Sequence, residues 1–363
     1  MSYIDNKNIY IAGAHSRSRT LRVYLEYLKD DLKVSAFLVS PEMTDNPETV
    51  DGIPVFSIAK DGLDTSCPVY LGTRGVNHAK LTKELSEVGF TDIRPATVEL
   101  DSELRNEYIK KRYAEAGRKF VRLDMLSEEC DALDTTFAIY VATSVFDGKL
   151  STPYEPVSEE KVIQVGTALA DKKVPGCVCT DDIGENISDR NRQFCELTGL
   201  YWIWKHAKED FVGLVHYRRH FILPDNWKEI MIQNNIDVVL PVPLYVPPSV
   251  KENYRERHDA SDWDYMEQYF DEYLPDEKED LLRIMNGNLY SPCNMIIAKK
   301  EVFSELCEWL FPILFAVVEH GGEKEDRYQR RYPGFLSERL ITYFFESRRD
   351  KYNVVFCNKN FLE

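Results

Sequence analysis

The hydrophobic pattern divides the chain into two runs of alternating strand and helix. Ile9-Tyr10-Ile11-Ala12-Gly13-Ala14 reads as a first strand turning at Gly13, and Leu21, Leu25 and Leu28 follow at helical spacing. Val34 to Val39, Pro54-Val55-Phe56 and Pro68-Val69-Tyr70-Leu71-Gly72 read as further short strands bounded by Asp, Gly and Pro. A helix with Leu81, Leu85 and Val88 on one face comes next. Strands alternating with helices imply a small parallel sheet, a Rossmann-like module. The segment from Asp101 to Asp124 is highly charged and reads as helical.

A second α/β unit begins with the strand Thr136 to Ala142. Gln164-Val165-Gly166, a short apolar helix and a polar loop from Cys179 to Ser188 follow. One helix is predicted over 191–207, with Phe194, Leu197, Tyr201 and Trp204 on one face. Phe211 to Val215 and Ile236 to Pro243 read as buried strands. Tyr245 to His258 reads as a long substrate-facing loop, and Asp262 to Asp280 as one surface helix. Asn288 to Ala298 enters a strand, the long helix 301–319 covers it, and a last helix packs Ile341, Phe344 and Phe345. The domain boundary falls near residue 130, giving domains 1–130 and 131–363.

Composition narrows the class. The 363 residues are 44% hydrophobic and 29% charged, as in soluble globular proteins. A formal charge of -16 argues against a nucleic-acid binder, which needs a basic face. It leaves room for a local basic pocket. The cysteines lack metal-ligand spacing; only Cys177 and Cys179 are close. The longest apolar run, Trp309 to Val318, is too short to span a bilayer. The polar start carries no signal peptide, and a reduced, cytoplasmic protein is expected.

Against that acidic background one stretch stands out. The strand Phe211 to Val215 empties into His216-Tyr217-Arg218-Arg219-His220. Open α/β sheets bind ligands beyond the carboxyl ends of their strands. Imidazole and guanidinium groups there suit a diphosphate, which Arg grips bidentately; a basic patch after an edge strand is the plainer alternative. Asp181 and Asp182, in a Gly-containing loop, have the oxygen donors for a hard cation, although such loops are also ordinary turn chemistry. Trp202 lies beside the aromatic stripe and offers a stacking face for a sugar or base. Glu338 and Arg339 stand in the first turns of the last helix, where a carboxylate caps the dipole or serves a ligand. In the first module only Gly13 of a dinucleotide fingerprint is present, while Ser16, Arg17 and Arg19 at a helix start suit a phosphate.

Longer motifs carry a resemblance. They are Asp181-Asp182-Ile183-Gly184-Glu185-Asn186-Ile187-Ser188, Cys195 through Lys205, and Gly213 through Arg219. Tyr254 and His258, Asn294-Met295, Trp309-Leu310-Phe311 and Gly334 through Leu340 continue them. Over about residues 136–345 the chain resembles a glycosyltransferase-like family of bacterial capsular and exopolysaccharide synthesis, long catalogued as a domain of unknown function. The resemblance implies a glycosyltransferase A-type α/β domain after the Rossmann-like module. It implies transfer of a sugar from a nucleotide-sugar donor, UDP-linked, to a glycan or lipid-linked acceptor, the latter placing the protein near a membrane surface.

Most such enzymes hold Mn²⁺ on the diphosphate with an Asp-x-Asp after a central strand; here that strand ends in His216-Tyr217-Arg218-Arg219. Two readings follow. The guanidiniums neutralise the leaving diphosphate unaided, or Asp181 and Asp182 hold Mn²⁺ or Mg²⁺ from another loop. His216, Arg218, Arg219 and His220 are then the diphosphate ligands. Asp181, Asn186, Trp202, Asn294 and Arg339 line the donor or sugar pocket. The base that takes the acceptor proton is Glu338, His258 or Asp182, with Glu338 first. A non-catalytic nucleotide- or carbohydrate-binding scaffold is the competing function.

Overall fold

The computed structural model describes residues 7–127 and 134–363. The chain forms two compact units, Met1–Phe120 and Val121–Glu363. The expected boundary near residue 130 lies outside the described residues.

The first unit holds β1 (Lys7–Ala12), α1 (Ser16–Leu28), β2 (Leu32–Val39), β3 (Thr49–Val50), β4 (Ile53–Ser57), β5 (Val69–Leu71), α2 (His78–Val88), β6 (Ile93–Pro95) and α3 (Val98–Glu115). Its six-stranded sheet runs β3-β4-β2-β1-β5-β6. β1 is parallel to both β2 and β5. Tyr10, Leu38, Val69, Leu71, Leu85 and Phe90 are among its core residues. Gly13 adopts φ +113°, and a Cβ there would lie 2.5 Å from Ser18 Oγ. Of the expected phosphate cradle, Arg17 donates to Thr73 O and Arg19 pairs with Asp51, while Ser16 O accepts from Thr20 Oγ1.

The second unit is the larger α/β body. Its strands are β7 (Phe137–Thr143), β8 (Glu160–Gln164), β9 (Cys179–Thr180), β10 (Phe211–His216), β11 (Val238–Pro241), β12 (Leu244–Tyr245), β13 (Leu289–Tyr290), β14 (Ile296–Lys299) and β15 (Val354–Cys357). Its helices are α4 (Asn191–Phe194), α5 (Leu197–His206), α6 (Trp227–Gln233), α7 (Val250–Arg257), α8 (Ala260–Tyr273), α9 (Pro275–Met285), α10 (Lys300–Gly321) and α11 (Tyr332–Ser347). The seven-stranded sheet runs β15-β11-β14-β10-β7-β8-β9, with β12 and β13 paired apart. β7 is parallel to β8 and β10, and β14 is antiparallel to β10 and β11. β10 is buried along Phe211–Val215, as its unbroken apolar run predicts. Gly213 is required within it: a Cβ there would meet Ile296 O at 2.8 Å.

Local chemistry changes four of the predicted elements. The helix over 191–207 breaks at Cys195, whose φ is +48°, a left-handed value that ends α4. The short apolar helix after Gly166 is a single tight turn, Thr167–Leu169. The long loop before His258 contains α7, started by Ser249, which accepts from Glu252 N at 3.1 Å. That Ser-x-x-Glu capping box stood in the sequence. The surface helix over 262–280 is two helices, because Pro275 cannot continue α8 and instead opens α9.

Candidate functional site

The sheet order locates the site. From β7 the chain passes to β8 and β9 on one side, then returns as β10 on the other. The connections leave in opposite directions, so the carboxyl ends of β7 and β10 flank a topological switch point, where α/β sheets bind ligands. Beyond β10 the chain reverses in a tight turn. His216 N donates to Arg219 O and Arg219 N to His216 O, both at 3.1 Å. Tyr217 and Arg218 form its tip.

A cleft of about 750 Å³ opens there. Ala142, Ser144 and Asp147 line it from the end of β7, and His216 through Arg219 from the end of β10. Arg192, Arg327, Arg330 and Arg331 line it as well. Six arginines therefore face two carboxylates, Asp147 and Glu196. Among the described residues, the side chains of Arg218 and Arg219 make no hydrogen bond or ion pair; both lie near the Phe361 ring. Burial holds the Asp147 carboxyl above its ordinary range, against its bond from Ser144 N at 2.6 Å and the charge of Arg218. A net positive, partly enclosed cleft on an acidic chain fits a compact polyanion.

Behind the wall lies a buried polar network. Cys293 and Asn294 both have left-handed backbones, φ +77° and +50°. His216 Nε2 donates to Cys293 O at 2.5 Å. Burial lowers the His216 pKa, with Glu196 opposing and Arg219 adding to the shift. Glu338 accepts from Cys293 N at 2.7 Å and from Arg339 Nη1 at 2.8 Å. Burial raises the Glu338 pKa, and the Arg339 charge opposes that rise. Asn294 donates to Glu196 at 2.7 Å and to Gly334 O at 3.1 Å. Arg339 also donates to Phe335 O at 2.9 Å and lies over the Tyr290 ring. The network shapes the cleft by fixing His216 and Glu196. Glu338, Asn294 and Arg339, expected as base and pocket contacts, do not line this cleft.

Other expected site residues are placed elsewhere. Asp181 is fully buried and accepts from Gly166 N, Thr167 N, Ser188 Oγ and Thr198 Oγ1 at 2.8, 3.0, 2.5 and 2.6 Å. Asp182 next to it is exposed. Asn186 donates to Asp182 O and Gly184 O and accepts from Ser188 N, which staples its own loop. Trp202 donates to Ile183 O at 3.1 Å and packs near Tyr140 and His206, holding that loop on α5.

His220 is buried. It donates to Glu160 at 2.9 Å, stacks 3.9 Å from Tyr154, and lines an adjoining cavity of about 710 Å³ that shares Ser144, Asp147 and Tyr217 with the arginine cleft. His258 is buried against Phe335 at 4.2 Å, and burial with the Arg339 charge lowers its pKa to about 4. Asp181, Asp182, Asn186, Trp202, His220 and His258 thus do not line the arginine cleft, where the sequence led us to expect pocket, diphosphate and base residues. A metal centre on Asp181 and Asp182 does not fit: the first carboxylate has four donors already. Among the described residues no group of three or more His, Cys, Asp or Glu is arranged to hold a metal.

Sequence reasoning therefore found His216, Arg218 and Arg219 in the cleft and missed Asp147, Glu196, Arg192, Arg327, Arg330 and Arg331. One signal was present. Arg327-Tyr328-Gln329-Arg330-Arg331 concentrates three cations in five residues of a chain with charge -16. Asp147 had no signal beyond its place after a strand.

Residues 152–349, more than half of the chain, match the family model described as Domain of unknown function (DUF4422). The chain belongs to the DUF4422 family. No curated protein matches it. Among solved structures it is similar to the bifunctional glycosyltransferase WbbM in its apo form, at 24% identity and a TM-score of 0.54. The match covers 63% of this chain and 45% of that one, so the chain spans less than half of WbbM. The likeness shows the fold, a glycosyltransferase-like α/β architecture. Core-mannan synthase A from Aspergillus fumigatus, in its Mn/GDP form, also matches, at 12% identity over 66% of this chain and 79% of that one. Its TM-score of 0.28 is too low for its site to inform this one.

Proposed function

We propose that this DUF4422 protein is a glycosyltransferase that moves a sugar from a nucleotide-sugar, UDP-linked, to a glycan or lipid-linked acceptor in capsular or exopolysaccharide synthesis. One observation carries the reading: an arginine-lined cleft at the switch point of a glycosyltransferase-like sheet, with guanidiniums left unpaired. Arg218 and Arg219, with Arg331 of the same cleft, take the diphosphate and hold its growing charge as the sugar–phosphate bond breaks. His216, its pKa lowered by burial and its Nε2 fixed on Cys293 O, braces the turn. Asp147, which lines the cleft with its carboxyl pKa raised by burial, is the group that takes the acceptor hydroxyl's proton. The arginines do the work of charge neutralisation, so we expect activity to survive EDTA.

Calorimetry with UDP-, GDP-, dTDP- and CMP-sugars tests the donor, and nucleotide release in the presence of glycan acceptors tests turnover. Absence of binding by all four refutes the transferase reading. Binding without release would instead support a nucleotide-binding scaffold. Loss of activity in EDTA, restored by Mn²⁺, would refute the metal-free arrangement.

A further inference from the structure

The arginine turn is bound along its length by a distant segment. Residues 358–362 run antiparallel to 218–222: Ile222 N donates to Asn358 O, Asn360 N to His220 O, and Leu362 N to Arg218 O, at 2.8, 3.0 and 2.9 Å. Glu363 O accepts from Ser151 N and Thr152 N beyond them. Leu362 is buried, while its neighbour Phe361 remains 50% exposed. The Phe361 ring centre lies 5.1 Å from the guanidinium carbon of Arg218 and 5.2 Å from that of Arg219.

The contrast with other arginines is informative. Arg19 ends on Asp51, Arg94 on Asp92, and Arg348 on Glu277. A carboxylate partner neutralises the charge and occupies the N–H fork. An aromatic face does neither: it attracts the cation through the ring quadrupole and leaves the in-plane N–H groups open. Two cations close in sequence, neither in an ion pair although Asp147 lies near Arg218, and both beside one half-exposed ring, with Tyr217 also near Arg218, are arranged to receive an anion.

We propose that Phe361 is a positioning residue for the donor diphosphate, its ring holding Arg218 and Arg219 with their N–H groups free for phosphate oxygens. The proposal rests on the donor reading above. It adds that the order of the two side chains, bought before binding, lowers the entropy cost of gripping the phosphates.

Calorimetry on the full chain with inorganic pyrophosphate and with UDP tests it. Phe361→Leu keeps an apolar side chain and removes the ring; affinity for both probes should fall about tenfold, on the order of 1.4 kcal/mol. Phe361→Tyr keeps the ring and should bind within about twofold of the parent. The melting temperature should not move, and in turnover the loss should appear in the donor KM rather than kcat. Phe361→Met is a second ringless variant that guards against a folding defect in the first. Ringless variants that bind pyrophosphate like the parent, or Tyr and Leu variants equally weakened, would overturn the proposal while the donor reading stands. A parent protein that binds neither probe would overturn both.

Discussion

Replacing Asp181 distinguishes a structural carboxylate from a ligand-binding one. Its oxygens join three segments: the exit of β8 through Gly166 N and Thr167 N, the loop through Ser188 Oγ, and α5 through Thr198 Oγ1. In Asp181→Ala the Thr198 hydroxyl retains Cys195 O as an acceptor, whereas Ser188 Oγ keeps only the bond it accepts from Ala168 N. The two backbone N–H groups lose their acceptor. Each buried donor left unmade costs about 1–3 kcal/mol, and the bonds lost were to a charged group. We expect a loss of about 3–5 kcal/mol, a large share of the ~5–15 kcal/mol typical of a whole domain.

Asp181→Asn, which keeps one accepting oxygen but turns an NH₂ toward donors, should lose roughly half as much. Urea unfolding followed by near-ultraviolet circular dichroism measures both. A cycle with Thr198→Val should show coupling of about 0.5–3 kcal/mol. The same samples, below their melting point, should bind UDP like the parent. An Asp181→Asn protein with parental stability and lost donor or Mn²⁺ binding would refute this reasoning and restore the carboxylate as a ligand.

Three further outcomes follow from the site. Arg218→Ala and Arg219→Ala should each weaken UDP binding roughly 10–100-fold, the loss of charge-assisted bonds worth about 1.5–3 kcal/mol, with little change in melting temperature; unchanged affinity in both would make the cluster a mere surface patch. Asp147→Asn should lower turnover at least ~100-fold with donor affinity retained, whereas Glu338→Gln should act mainly on stability through the Cys293 turn, and the reverse pattern in nucleotide-release assays would return the base to Glu338. Burial and the Arg339 charge lower the His258 pKa to about 4 in the folded protein, against about 6.5 when unfolded. The unfolded chain binds the extra proton, so this contribution is intact above pH ~6.5 and lost toward pH ~4, by about 3 kcal/mol. His258→Phe should flatten that part of the stability–pH curve, and an unchanged slope in urea midpoints across this range would count against the assignment.

The sequence by itself determined the alternation of strand and helix and the strand that ends at the site. Phe211–Val215 is apolar at every step because both faces of a central strand are covered, a pattern visible without any partner. Arg218 and Arg219 were legible for the same reason: charge directly after such a run must leave the core. Tertiary structure decided the rest, because it brings together residues that no local rule connects. His216 and His220 are four residues apart, yet the turn closed at Arg219 sends one to the cleft and the other against Glu160 and Tyr154. Asp181 and Asp182 are adjacent and chemically identical, but one is sealed among four donors and the other exposed. Arg192 and Arg331 share a cleft with the end of β10 only because the folded chain juxtaposes them. Periodicity reports which side of an element is buried; it carries no record of which distant side chains share the same space.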